Sequence, residues 1–279
     1  MPTEKRDSVG YLVKEKKLPV VRACRAVGLT RSAYYRPPID LAKRDAPVVE
    51  RLNAAVARNG RWGFWKCFQW LRNDGCKMNH KRLHRVYCNM NLNLPRRTKR
   101  RLPKRPRVPM TVMPKPNHTW SMDFMHDRLY QGKSFRTLNV MDEGVREVLA
   151  IEIDTSLPAL RVVRVLEQLR DWRGLPERIR VDNGPELIAE SLQSWCAANG
   201  VALAHIQPGK PNQNAFIERF NRTYRDEVLN ANLFENLDQV REITWQWQQQ
   251  YNEERPHDAL NGLPPSRYRR MVTNEDSTC

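Results

Sequence analysis

Three carboxylates, Asp123, Asp182 and Glu218, lie where a metal-dependent catalytic site would need them. They fall within or at the end of three segments that are apolar or helical in pattern, namely 118–125, 178–184 and 214–225. A carboxylate among core residues is costly unless something cationic pairs with it. Magnesium takes oxygen ligands, and two such ions side by side suit phosphoryl transfer. The three positions therefore indicate a metal site for phosphodiester chemistry.

Other acidic residues fit such a site less well. Asp127 lies four positions past Asp123, close to the end of the same predicted strand, and is the nearest rival. Asp142 is in a predicted turn and Asp154 precedes Thr-Ser, and at such positions aspartate commonly bonds its own backbone. Asp182 differs because an Asn-Gly turn follows it directly after a buried strand, which is where open sheets place ligands.

Helical periodicity around Glu218 predicts two different faces. At 100° per residue the side that packs against the sheet carries Phe216, Phe220 and Thr223, with Tyr224 beside them. Glu218 lies near the opposite side, together with Asn214, Arg222 and Arg225. The alternative is a solvated stripe in which Glu218 and Arg222 form a favourable i, i+4 pair.

The composition limits the classes of partner that the protein is expected to bind. The chain has 279 residues, 28% of them charged and 40% hydrophobic, which allows two or three small domains. Its net charge of +17 and pI near 10.0 predict a polyanionic partner, most simply nucleic acid. A basic, ribosomal-type protein would explain the charge but not the carboxylates. No apolar run is long enough to span a membrane and the N-terminus lacks a signal-peptide pattern, so a cytoplasmic protein is expected.

The six cysteines form no Cys-x-x-Cys pair and are expected to be free thiols in a reducing cytosol. Cys76, His80, His84 and Cys88 recur every fourth residue. Four ligands strung over three helical turns cannot converge on one tetrahedral zinc, although His80 and His84 could pair. No zinc is expected, and the stripe is interpreted as a partly buried, partly DNA-facing side of a helix.

The first third of the chain predicts small helical DNA-binding modules. A helix at 20–27 stops at Gly28, and Thr30 caps a second helix, which is the plan of a helix-turn-helix. A helical hairpin that makes no DNA contact remains the alternative.

A second helical unit is predicted at 41–94, after an N-terminal segment at 1–40. Its last helix is capped by Asn79 and carries Lys81, Arg82 and Arg85, which could meet phosphates or base edges. A solvated basic face is the competing interpretation.

A basic, proline-rich linker at 95–116 follows. Residues 95–109 include eight basic residues and no acid, so they cannot bury themselves and are expected to follow a phosphate backbone. The predicted DNA contacts in this segment are Arg96, Arg97, Lys99, Arg100, Arg101, Lys104 and Arg105.

From 117 to 270 the pattern changes to strands and then to alternating helices and strands, followed by a polar tail at 271–279. Strands are predicted at 118–124, 137–141, 148–153, 178–181 and 201–206. Helices are predicted from 158, at 185–198, 212–229 and 237–252. The order predicts an α/β fold, a mixed five-stranded sheet with helices on both faces.

The combined motifs resemble the retroviral-integrase-like core. Asp182 and Glu218 differ by 36 positions, and they are accompanied by the Asp-Asn-Gly turn, the segment 208–215 and the Tyr-Asn-Glu-Glu-Arg-Pro-His stretch at 251–257. Within that group the chain is most similar to second-reading-frame (OrfB) proteins of the insertion-sequence-three family of bacterial transposases. The likeness includes residues 79–85, which are similar to the recognition-helix region of that family's helix-turn-helix.

The resemblance implies a ribonuclease-H-like core in which Asp123, Asp182 and Glu218 bind two Mg²⁺ ions, with Mn²⁺ as a possible substitute. It implies cleavage at the ends of a mobile element and strand transfer of the freed 3′-hydroxyl into double-stranded target DNA. Lys210, Asn214, Arg222 and Arg225 are expected to contact DNA. Expected partners are further copies in a synaptic complex, a helical upstream-frame protein, fused or separate, and bacterial nucleoid DNA; no membrane is expected.

Two other functions stay open at this point. The same fold could form a metal-dependent nuclease that cuts without joining, and the chain could be a DNA-binding regulator whose carboxylates are structural.

Overall fold

The computed structural model describes residues 2–36, 40–95, 113–207 and 211–276. Within these ranges two small helical units precede an α/β core. No helix in them is long and apolar enough to cross a membrane. Most of the predicted linker lies outside the described residues.

The first helical unit consists of α1 (Pro2–Lys14), α2 (Val20–Val27) and α3 (Arg31–Tyr35). Gly28 ends α2 in the left-handed region at φ 64°, and the Thr30 hydroxyl accepts a hydrogen bond from the Ala33 backbone N–H. The predicted helices around Gly28 are therefore confirmed, whereas α1 was not predicted. Its Val9 packs against Ala23 and Cys24 of α2 in a small core.

The second unit consists of α4 (Leu41–Arg58), α5 (Phe64–Asn73) and α6 (His80–Asn89). The cap predicted for α6 is present, since the Asn79 side chain accepts a hydrogen bond from the Lys81 backbone N–H at 2.8 Å. The apolar faces of the three helices meet in one core that contains Val48, Leu52, Trp62, Leu71, Leu83 and Val86.

The core sheet has the strand order β3-β2-β1-β4-β5. The strands are β1 (Thr119–Arg128), β2 (Ser134–Asp142), β3 (Val148–Asp154), β4 (Arg178–Val181) and β5 (Ala202–His205). The first three are antiparallel, and β4 and β5 run parallel to β1. This mixed sheet is the predicted ribonuclease-H-like architecture.

Side chains alternate between the two faces of the sheet. Trp120 and Met122 of β1 pack against α7 (Ala159–Arg173) and α8 (Glu190–Ala198). Met125 faces the other side and packs against α9 (Ala215–Tyr224) and α10 (Leu237–Glu253). Asp123 therefore belongs to the face that α9 covers.

Two predicted helices differ in the structure, and one further helix was not predicted. The helix predicted at 212–229 is divided into a 3₁₀ turn (Pro211–Asn214), α9 and a π-helical segment (Arg225–Leu229). The helix predicted from 185 begins only at Glu190. A last helix, α11 (Pro265–Asp276), was not predicted and crosses the boundary drawn at 270 between core and tail.

Candidate active site

Asp123 lies in the middle of β1, half-buried beneath α9. One carboxylate oxygen accepts the Phe124 backbone N–H at 2.8 Å, and the other accepts the side-chain amide of Asn221 at 2.7 Å. Asn221 in turn accepts a hydrogen bond from Asn139, the residue paired with Asp123 on β2. A buried amide chain thus fixes the orientation of this carboxylate.

Asp182 is the first residue after β4, and β4 lies next to β1 in the sheet. Its Oδ1 accepts the Gly184 backbone N–H at 3.0 Å, which closes the predicted turn. A Cβ at position 184 would lie 3.1 Å from that oxygen, so a larger residue would crowd the carboxylate. The Asn183 amide donates to the Ile206 carbonyl after β5 and ties the turn to the sheet edge.

Glu218 is in the first turn of α9 and is exposed. The buried side of this helix carries Ile217, Phe220 and Tyr224. The predicted packing side is therefore confirmed for the aromatic residues. Asn221 lies three residues after Glu218, so the residue that binds Asp123 is on the same helix as the third carboxylate.

Electrostatics connect the three carboxylates. Burial raises the pKa of Asp123 from its ordinary 3.8 to about 6, and the charges of Asp182 and Glu218 add to the increase. Hydrogen bonds from Phe124 and Asn221 oppose the increase without cancelling it. The fold therefore brings Asp182 and Glu218 close enough to Asp123 for their charges to act on it.

Within the described ranges, no three His, Cys, Asp or Glu side chains already stand close enough together to form a metal centre. The three carboxylates are neighbours rather than a closed cage. A set of carboxylates in which Asp182 and Glu218 disfavour the ionised form of Asp123 fits a hard divalent cation, because a bound cation would favour that form instead.

The rival acids have structural partners. Asp127 forms an ion pair with Arg225 at 3.4 Å. Asp142 is fully buried and accepts the backbone N–H groups of Asn117 and Gly144. Asp154 accepts its neighbour's backbone N–H at 2.7 Å, as predicted.

Among the predicted DNA contacts near Glu218, Arg222 is exposed and Arg225 is half-exposed. Arg225 begins the π-helical segment and donates to the His126 carbonyl at 2.8 Å, so it lies against the end of β1. Asn214 is only 3% exposed, and its predicted contact with DNA stays a prediction.

The basic face of α6 is only partly open. Arg82 and Arg85 both bind the buried Asp45 of α4, at 3.0 and 2.6 Å. Lys81 is exposed. The rings of His80 and His84 contact aromatic residues of α5, namely Trp65, Phe68 and Phe64. The remaining predicted contacts, Arg96, Arg97, Lys99, Arg100, Arg101, Lys104, Arg105 and Lys210, lie outside the described residues.

Sequence reasoning missed two groups near the site. Asn221 could have been found from its i+3 spacing to Glu218. The pair of Glu143 and Arg180 could not, because it joins the β2–β3 turn to β4 across the sheet. Arg180 donates to both Glu143 oxygens at 3.0 Å and to the Gln213 carbonyl at 3.1 Å, at the turn that leads into α9.

Comparison with known proteins shows which family models and which relatives the chain is similar to. Residues 113–211 and 199–265 match two integrase core domain families. The chain is 39% identical to an uncharacterised protein of insertion element IS407 from Burkholderia multivorans, over 88% of this chain and 89% of that protein. It is 34% identical to one of insertion element IS476 from Xanthomonas euvesicatoria, over 96% of this chain and 77% of that protein.

A more distant relative is the proposed transposase InsK of insertion sequence element IS150 from Escherichia coli, 24% identical over 91% of this chain and 94% of that protein. Among solved structures, the integrase catalytic core domain of HTLV-2 in complex with magnesium aligns with a TM-score of 0.47 and 18% identity. It covers 57% of this chain and 99% of that domain.

Proposed function

Since the chain belongs to the family of bacterial insertion-sequence transposases with an integrase-like core, we propose that Asp123, Asp182 and Glu218 cut DNA at the ends of an insertion sequence and join the cut end to a target. The observation that supports this most is that Asp123, half-buried beneath α9, lies within reach of the charges of Asp182 and Glu218; burial first, and then these charges, raise its pKa to about 6. Structural acids are normally paired, as Asp127 and Asp142 are here.

The three carboxylates are the groups that would hold Mg²⁺, or Mn²⁺ in its place, as two ions. When bound, such ions activate the attacking water or 3′-hydroxyl and stabilise the leaving oxygen. Asn221 holds the Asp123 carboxylate in one orientation, and the Gly184 N–H does the same for Asp182. Both carboxylates are thus held in a fixed orientation before a metal ion binds.

DNA would be held by exposed and half-exposed cations near this site. Arg222 and Arg225 follow Glu218 on the same helix and its π-helical continuation. Lys81 of α6 and the basic linker would neutralise further phosphates, and each one neutralised releases counterions. We further propose an assembly of several copies on double-stranded DNA in the bacterial cytoplasm, with an upstream-frame helical protein as a possible addition.

The test is a joining assay with a labelled element end, Mg²⁺ and a target plasmid. Asp123→Asn, Asp182→Asn and Glu218→Gln are each expected to abolish cleavage and joining while sparing DNA binding. Glu167→Gln, which removes an exposed acid on α7, is the matched control and should retain activity. Near-normal joining by any of the three variants refutes that residue's assignment.

The same assay distinguishes the other functions. Cleavage without joining would identify a nuclease of the same fold. Binding with no Mg²⁺-dependent cleavage would identify a regulator whose carboxylates are structural.

A further inference from the structure

The second helical unit, α4 to α6, rests on the catalytic core through a group of polar contacts. The Arg58 side chain at the end of α4 forms an ion pair with Glu254, and the Arg58 carbonyl accepts the Gln250 amide at 2.7 Å. The next residue, Asn59, donates from its side chain to Glu227 at 3.1 Å. All of the core partners lie in the π-helical segment after α9 or at the end of α10.

Glu227 joins three parts of the molecule. Its carboxylate accepts hydrogen bonds from Arg255 at 2.6 Å and from the indole N–H of Trp247 at 3.1 Å, in addition to Asn59. The Glu227 and Arg255 side chains are only 8% and 7% exposed, so this pair is shielded from water and salt. Glu227 is also the third residue of the π-helical segment that continues the helix of Glu218.

A second line of contacts lies at the turn between α10 and α11. The Asn73 side chain of α5 donates to the Gly262 carbonyl at 2.9 Å, and Arg267 donates to the Asn73 carbonyl at 3.3 Å. Gly262 has a φ of +77°, and a Cβ there would lie 2.8 Å from the Gln69 side chain. The turn is therefore shaped for close approach by α5.

Cations are crowded around Glu227. Burial, and then the charge of Arg255, lowers the pKa of Lys66 in α5 to about 8, while Glu227 acts against the decrease. Burial also lowers the pKa of His257 well below its ordinary value, again with Arg255 as the next cause. A carboxylate at position 227 is what makes this crowding tolerable.

We propose that residues 250–263, which include the Tyr-Asn-Glu-Glu-Arg-Pro-His stretch, form a seat for the second helical unit, and that Glu227 links this seat to the helix carrying Glu218. The seat holds DNA bound by α6 at a fixed distance from the three carboxylates and so selects the bond that is cut. The role in cutting rests on the proposed function; the seat itself does not.

The experiment uses the full chain with reversed charges at the half-exposed rim of the seat. Arg58→Glu and Glu254→Arg each place like charges together, and the double variant restores an opposite pair. Arg61→Glu makes the same change at an exposed arginine in the loop that follows α4 and is the matched control. Hydrogen exchange is measured at residues 57–61 and 247–263, together with the position of cuts on a labelled element end.

Each single variant is expected to speed exchange in both segments at least tenfold and to reduce the fraction of cuts at the correct bond about tenfold. The double variant and Arg61→Glu should match wild type. Unchanged exchange rates in the single variants would refute the proposal that residues 250–263 form a seat for the second helical unit. A double variant that does not recover the wild-type rates would refute it as well. Faster exchange with unchanged cut position overturns its role in selecting the bond. If wild type cuts no DNA, the proposed function is refuted. The exchange rates still show whether the seat supports the second helical unit.

Discussion

Raising the pH from about 4 to about 7 without divalent metal is expected to destabilise the protein through Asp123. The pKa of this carboxyl is about 6 in the folded chain, against an ordinary 3.8, with burial as the first cause and Asp182 as the second. At about 1.4 kcal/mol per pKa unit, ionising Asp123 in the folded state costs about 3 kcal/mol, an upper value for a half-buried group.

The direction follows from proton binding. Below pH 3.8 both the folded and unfolded states carry the proton, so the cost is absent. Between 3.8 and about 6 the folded state keeps the proton more tightly, and stability falls as the pH rises through this window. Above about 6 the full cost remains. Glu143, whose pKa burial raises to about 7, adds a similar decrease, and His257 contributes in the opposite sense.

The assay is denaturant unfolding at several pH values in chelator, for wild type and Asp123→Asn. Only the difference in pH dependence between the two proteins counts, because the amide also changes the contact with Asn221. Magnesium at tenfold its Kd should then add about 1.4 kcal/mol to wild type near pH 7, less near pH 5, and nothing to the variant. Identical pH dependence, or equal stabilisation of the variant by magnesium, refutes the assignment of Asp123.

Four further outcomes are expected. Asn221→Ala should slow cleavage about 10- to 100-fold and cost about 1–3 kcal/mol in unfolding, because Asp123 loses its orienting donor; unchanged cleavage rates would contradict this. Arg225→Ala should weaken binding to labelled element ends about tenfold, with Arg225→Lys milder, and joining at the wild-type rate would assign Arg225 to Asp127 alone. Arg180→Ala should lower unfolding stability by about 3–5 kcal/mol by leaving Glu143 buried and unpaired, and a paired Glu143→Met, Arg180→Met variant should recover most of it in the same measurement. DNA affinity, measured by titration at increasing salt, should fall steeply, and a core from 110 to 279 that still protects the element ends specifically would contradict recognition by the helical units.

The local sequence pattern was sufficient to predict many of the helices and strands. Strand β4 and helix α2 have the predicted bounds, and Gly28, Thr30 and Asn79 end or cap helices as expected. Alternation in β1 and the 3.6-residue period of α9 determine which side chains face the core. Both periods depend only on neighbours along the chain, so they are readable from sequence.

The three carboxylates were proposed as site residues from sequence, because each ends or interrupts an apolar segment in a way that core residues alone do not explain. Their proximity is a different matter. It depends on β1 and β4 pairing in parallel and on α9 crossing the sheet, and the contact that orients Asp123 joins residues 98 positions apart.

Only the tertiary structure determined which charged and polar side chains are already paired or buried within the protein. Arg82 and Arg85, which the sequence predicts as DNA contacts, both form ion pairs with Asp45, and Asn214 is buried. The bond from Asn59 to Glu227 spans 168 positions. A side chain's partner across such a distance follows from how the elements pack, whereas periodicity specifies only which face of its own element it occupies.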